Sequence, residues 1–125
     1  MGRIASSLTL VGAVAVAASC TSNDTAAGSR TLDVTSTADA CEIGASEAPA
    51  GRIVFKVTND GSEVTEFYLL ADDGQRVVGE VENIGPGLTR DLVVEASPGK
   101  YITACKPGMV GDGIRAPFTV TGSGD

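Results

Sequence analysis

Residues 98–109 read Pro-Gly-Lys-Tyr-Ile-Thr-Ala-Cys-Lys-Pro-Gly-Met, and this stretch carries the clearest fold signal in the chain. Pro98-Gly99 is a turn signal, and the residues that follow have the aromatic and β-branched content of a strand. The strand ends at Cys105, and a second Pro-Gly pair leads into a loop that carries Met109. The stretch therefore predicts a β-domain in which one strand delivers a cysteine, with a methionine on the following loop.

The remaining sequence consists of short alternating segments separated by glycine, proline, asparagine and aspartate. Residues 30–36 place Leu32 and Val34 on one face, and residues 52–58 repeat this period of two with larger side chains. Asn59-Asp60-Gly61 is one of several hairpin signals. About seven strands without helical periodicity predict an all-β fold, a β-sandwich. The predicted strands are residues 30–36, 52–58, 64–71, 76–84, 88–95, 100–105 and 116–121.

The start of the chain predicts export. Gly2-Arg3 gives a short charged start, and residues 4–18 form an apolar run, which is typical of a signal peptide. The run is shorter than the about 20 residues that a transmembrane helix needs. Residues 16–20, Val-Ala-Ala-Ser-Cys, resemble a bacterial lipobox, whose cysteine is acylated. Ordinary cleavage after Ala17 is the alternative, but three cysteines leave one unpaired in an exported chain, which favours acylation of Cys20.

These signals predict the domain organisation. Residues 1–19 are the expected signal peptide, and residues 20–30, rich in small polar residues, a flexible lipid-anchored spacer. Residues 31–122 are the expected single domain, followed by a tail at residues 123–125. The protein is expected on the outer face of the cytoplasmic membrane or in the periplasm, with membrane contact only through the lipid anchor.

Charge and composition exclude several classes of function. The chain has 9 basic and 16 acidic residues, a net charge of −7, so nucleic acid is not an expected partner. It contains no histidine, so neither a Ser-His-Asp nor a Cys-His pair can form and no histidine general base is available. We therefore expect no enzymatic activity.

Residues 98–109 resemble the strand and loop that deliver the cysteine, histidine and methionine ligands of a blue-copper protein. A type 1 copper centre needs two imidazoles and one thiolate. Because the chain has no histidine, it is not expected to be a blue-copper electron carrier.

Two interpretations of Cys41 and Cys105, which lie 64 positions apart, remain open. A disulfide between them would close a long loop and stabilise the domain by roughly 4 kcal/mol. Alternatively, the two thiolates are ligands of a soft or borderline metal, with Glu66 and Met109 as further ligands.

Glu80 and Glu82 are separated by two positions and are predicted to project from the same face of one strand. Two neighbouring carboxylates repel each other unless a cation or a donor lies between them. The pair is either a cation site or a solvated strand face.

Several motifs together resemble the cupredoxin-like domain of EfeO-type periplasmic iron-uptake proteins. The most specific is residues 80–87, Glu-Val-Glu-Asn-Ile-Gly-Pro-Gly, and the others are Cys41-Glu42, the Asn59 turn, Glu66, and Pro98-Gly99-Lys100-Tyr101 with Cys105. The resemblance covers residues 31–122 and implies a cupredoxin-like Greek-key sandwich that binds a copper or iron ion. It implies one metal site at Cys41, Glu66 and Cys105 with Met109, and a second at Glu80 and Glu82.

The resemblance also implies a function and partners. The domain is expected to bind metal and to assist iron acquisition. Full-length members of the family continue into a helical domain, so the expected partners are a metal ion and either an iron permease or a separate helical iron-binding protein. The competing expectation is a disulfide-closed interaction domain without metal.

Overall fold

A computed structural model describes residues 29–122 of the chain. This part contains one 3₁₀ turn, Pro107–Met109, and nine strands: β1 Ser29–Ser36, β2 Cys41–Ile43, β3 Glu47–Pro49, β4 Gly51–Asn59, β5 Thr65–Ala71, β6 Val77–Ile84, β7 Thr89–Ala96, β8 Gly99–Cys105 and β9 Ile114–Thr121. The predicted signal peptide, Cys20, most of the predicted spacer and the tail lie outside the described residues. No helix within residues 29–122 has the length and hydrophobicity to span a membrane.

The strands form two sheets, with strand orders β2-β1-β4-β7 and β3-β9-β8-β5-β6. β1 runs parallel to β4 and β3 runs parallel to β9, whereas the other paired strands are antiparallel. The predicted all-β sandwich is confirmed. The structure has two more strands than the seven that the sequence predicts. These are β2 and β3, which the sequence pattern does not reveal because they have only three residues each and show no alternation. Both are short edge strands, which limits pairing with other chains.

The core lies between the sheets and is filled from alternating positions of the longer strands. In β4, Ile53, Phe55 and Val57 are fully buried. The Phe55 ring lies 5.1 Å from the ring of Phe67 on β5 and 5.5 Å from that of Phe118 on β9, measured between centroids. These tilted and edge-on contacts between the two sheets are typical of aromatic packing.

β5 is buried on both of its faces, unlike an ordinary sandwich strand. Phe67 and Leu69 enter the core, and a second small cluster of Tyr68, Leu70 and Ala104 is buried on the outer face of the five-stranded sheet. Arg115 lies beside this outer cluster, where Nη1 donates to the Gly74 carbonyl at 2.9 Å and Nε donates to the Asp112 carbonyl at 2.8 Å. The outer face therefore contains a small sheltered region with an exposed arginine at its border.

Both ends of the described domain lie beside the start of β4. Ser29 is the register partner of Arg52, and the Ala50 amide donates to the Thr121 carbonyl at 2.8 Å. The other end of β4 is Asn59, whose side-chain amide donates to the carbonyls of Glu63 and Ile84 at 2.6 and 2.8 Å. Asn59 is 1% exposed and ties the loop before β5 to the end of β6. The Asn59 turn singled out in the sequence is thus a buried structural connection.

Candidate functional site

Cys41 and Cys105 form a disulfide that connects the two sheets. Cys41 begins the edge strand β2, Cys105 ends the inner strand β8, and their Cα atoms are 5.5 Å apart. Cys105 is fully buried in the core, whereas Cys41 is partly exposed. The sequence leaves open whether these cysteines form a disulfide or bind a metal, and in the structure they form the disulfide. In this oxidised form neither sulfur is a thiolate ligand.

Glu66 projects away from the disulfide. Its neighbour Phe67 is the register partner of Cys105, and both of these side chains belong to the core. Because successive side chains of a strand point to opposite faces, Glu66 lies on the outer face of the sheet. Its side chain is nevertheless only 7% exposed. The structure therefore does not bring Glu66 together with the two cysteines.

Tyr68 connects Glu66 with the glutamates of β6. Its hydroxyl donates to Glu66 Oε2 and lies 3.4 Å from Glu82 Oε1. Tyr68 is also the register partner of Glu80, and the intervening Val81 is buried in the core. Residues assigned to two separate sites in the sequence thus meet on one face. We call Glu66, Tyr68, Glu80 and Glu82 the carboxylate–phenol cluster.

Tyr68 is not among the site residues that the sequence predicts. A signal was present, because Glu66 and Tyr68 are separated by two positions within a predicted strand and therefore share a face. The sequence does not show the register between β5 and β6, which brings Glu80 and Glu82 to the same face.

The environment of Tyr68 favours its neutral form. Burial raises the pKa of Tyr68 well above its ordinary value, and the hydrogen bond to Glu66 and the negative charges of Glu66, Glu80 and Glu82 raise this pKa further. The phenol is therefore protonated at neutral pH and acts as a donor to Glu66. Lys106 Nζ lies 4.5 Å from the centroid of the Tyr68 ring, in the geometry of a cation–π contact.

Met109 lies on the loop after Cys105, in the 3₁₀ turn, and is 40% exposed. Its amide donates to the Lys106 carbonyl at 2.9 Å, and the Gly108 amide donates to the Val64 carbonyl at 2.8 Å. These bonds hold the loop against the start of β5. The thioether is accessible, on the loop that the sequence predicts for it.

The residues present do not fit a type 1 copper centre, because no imidazole is available and Cys105 is bonded to Cys41. Within residues 29–122, no three side chains of His, Cys, Asp or Glu are arranged so that they could hold a metal ion. The carboxylate–phenol cluster instead offers oxygen donors, the type that hard cations prefer. The exposed side chains of Glu80 and Glu82 would have to turn towards Glu66 to act together with it.

Comparison with known sequences gives two findings. A family model described as a cupredoxin-like domain matches residues 10–120. The iron uptake system component EfeO of Yersinia pseudotuberculosis serotype I (strain IP32953) is 38% identical over 65 residues, which are 52% of this chain and 17% of that protein. EfeO of Yersinia pestis matches with the same identity and coverage. The chain thus spans 17% of the length of these curated relatives.

Comparison with solved structures finds similar folds among copper proteins. Dithionite-reduced auracyanin from Roseiflexus castenholzii has a TM-score of 0.59 and 17% identity, covering 75% of this chain and 98% of that one. Auracyanin A, a blue copper protein from Chloroflexus aurantiacus, has a TM-score of 0.59 and 14% identity, covering 75% of this chain and 100% of that one. At such low identity the likeness shows the fold alone.

Proposed function

Because this chain belongs to the cupredoxin-like domain family and is similar in sequence to an iron uptake component, we propose that it is a metal-binding module that assists iron acquisition. Iron is its cargo rather than a resident cofactor. In this proposal the domain binds and holds the metal without catalysing a reaction.

We place the cargo site at the carboxylate–phenol cluster. The observation that carries this proposal is the Tyr68 hydroxyl, which connects the buried Glu66 carboxylate with Glu82 across two strands. Carboxylate and phenolate oxygens are hard donors, so they suit Fe(III) better than a soft ion. Glu80, the register partner of Tyr68, would supply a third carboxylate once its exposed side chain turns towards Glu66. The cation would replace the proton that Tyr68 shares with Glu66, so its affinity is expected to rise with pH.

The reduced cysteine pair is a second candidate site, for a softer ion such as Cu(I). Cys41 and Cys105 are adjacent, and the accessible thioether of Met109 lies on the following loop. Reduction of the disulfide is required first, because only the thiolates bind metal. Glu66 faces the other side of the sheet and would not complete this set. The competing function, a metal-free interaction domain, is favoured by the disulfide itself.

The proposed location is extracytoplasmic, anchored through an acylated Cys20. A disulfide persists in an oxidising compartment, and the curated relatives belong to an uptake system. The proposed partners are an iron permease or a separate helical iron-binding protein that receives the metal.

The test is calorimetric titration with Fe(III), supplied as a weak chelate, of wild type, Glu66→Gln and Glu82→Gln. Each variant removes one charged oxygen donor, and we expect at least a tenfold loss of affinity for Glu66→Gln and a smaller loss for Glu82→Gln. Glu95→Gln, an exposed glutamate of β7, is the matched control. Unchanged affinity in a Glu66→Gln/Glu80→Gln/Glu82→Gln variant would refute the cluster as the site.

A further inference from the structure

Lys106 is held at the edge of the carboxylate–phenol cluster. It directly follows the disulfide-bonded Cys105, and its amide donates to the Glu66 carbonyl at 2.8 Å. This backbone bond fixes Lys106 opposite the buried glutamate. The half-buried side chain then covers the Tyr68 ring, with Nζ 4.5 Å from the ring centroid.

The position of this ammonium is matched to the surrounding charges. Glu66, Glu80 and Glu82 all act on Tyr68 as negative charges. The ammonium lies over the ring whose hydroxyl donates to Glu66 and is 3.4 Å from Glu82 Oε1, so it attracts these two carboxylates at low ionic strength, where the Debye length exceeds about 10 Å. Arg90 on β7 donates from Nη1 to the Glu82 carbonyl at 2.9 Å and thus supports the backbone of β6.

We propose that Lys106 is a built-in counter-ion of the carboxylate–phenol cluster and determines its selectivity, because a multivalent cation displaces the ammonium and a monovalent cation does not. This inference rests on the proposed function. A tethered ammonium has an effective concentration of about millimolar or higher, which disfavours exchange with single charges from solution. An ion with two or three charges gains proportionally more Coulomb energy at the same distance.

Lysine suits this role better than arginine. Its ammonium is a compact point charge on a flexible stem, whereas a guanidinium would grip a carboxylate with two parallel hydrogen bonds. The Lys106 head can therefore leave the cluster by rotation about the bonds of its flexible stem.

The test compares Lys106→Gln and Lys106→Met with Lys100→Gln as control, because Lys100 is an exposed lysine of the preceding strand β8. Lys106→Met keeps an apolar stem over the ring and guards against a packing defect. We expect both Lys106 variants to bind Mn(II) and weakly chelated Fe(III) about three- to fivefold more tightly at low ionic strength, the size of one exposed charge interaction. NaCl should compete with the metal more strongly in these variants than in wild type, since the tethered cation is gone.

The outcomes separate this inference from the proposed function. If wild type binds metal and the Lys106 variants bind equally or more weakly, Lys106 is not a competitor, and the proposed function stands. If neither wild type nor any variant binds metal, the proposed function fails. Thermal unfolding of the metal-free protein then tests whether Lys106 is a counter-ion of the cluster. Lys106→Met should lower Tm at low ionic strength and NaCl should restore it, whereas an unchanged Tm would overturn the inference.

Discussion

The two faces of the β5–β8 pair differ in chemistry although their residues are neighbours in sequence. On the inner face, Cys105 is bonded to Cys41 and packs in the same core as Phe67. On the outer face, Glu66 and Lys106, each only one residue away, surround Tyr68. Because successive side chains of a strand point to opposite faces of the sheet, the sulfur atoms lie on the inner face and the oxygen donors on the outer face. Residues of ligand type that are close in sequence therefore form two separate clusters instead of one.

The largest expected effect comes from removing the inner-face disulfide. Cys41→Ser/Cys105→Ser should lower the free energy of unfolding by about 2–5 kcal/mol, because the unfolded chain regains the freedom of a 64-residue loop. Urea unfolding measures the loss. Affinity for Fe(III) should stay at the wild-type level in the folded variant. A parallel loss of affinity would mean that the two faces form one site after all.

A second inner-face change tests how closely the sheets approach at their β6–β7 edge. A Cβ atom at Gly79 would lie 2.6 Å from Val94 Cγ1, so Gly79→Ala should destabilise the domain by about 1–3 kcal/mol. The control is Gly122→Ala, where a Cβ meets no atom within 4 Å. Thermal unfolding compares the two, and equal Tm values would show that the edge opens without cost.

On the outer face, Tyr68→Phe removes the donor of a buried carboxylate. We expect a loss of about 1–3 kcal/mol at neutral pH, because Glu66 would then be buried without its partner. The pKa of Tyr68 is raised in the folded state, so its contribution is complete below the ordinary value of 10.0 and declines as pH rises above it. Unfolding of wild type should therefore become easier above pH 10, whereas Tyr68→Phe should show a weaker decline. Identical alkaline profiles would contradict this.

The smallest expected effect is the response to Cu(II). Titration should produce no intense visible thiolate band, because the blue type needs a His₂Cys arrangement that this chain cannot build. Absorption spectra of the oxidised and the reduced protein test both states of the cysteine pair. A strong band in either state would show that the inner face can form a type 1 centre without histidine.

Much of the fold followed from the period of two. Alternation in residues 52–58 and the Pro-Gly turn at residue 98 located β4 and β8, whereas β2 and β3 are too short for any period to appear. These short strands owe their structure to pairing with β1 and β9, a tertiary contact that local sequence does not encode.

The candidate site was less predictable for a related reason. Resemblance grouped Glu66 with Cys41 and Cys105, but a list of residues carries no information on which face of a sheet each side chain occupies. Register supplies that information, since pairing Phe67 with Cys105 sends Glu66 outward to Tyr68. The proximity of Cys41 and Cys105, whose Cα atoms are 5.5 Å apart, likewise depends on how the strands pack, which the sequence does not give.

The paired ends of the domain have a consequence for how it can be built into larger proteins. Ser29 and Thr121 both lie beside residues 50–52, whereas Glu66 lies towards the Asn59 end of the sandwich, roughly 25 Å away along β4. A segment joined directly at Ser29 or Thr121 therefore leaves the described domain at the end opposite the cluster. A circular permutant in which a linker joins residue 121 to residue 29 should therefore keep the cluster unchanged.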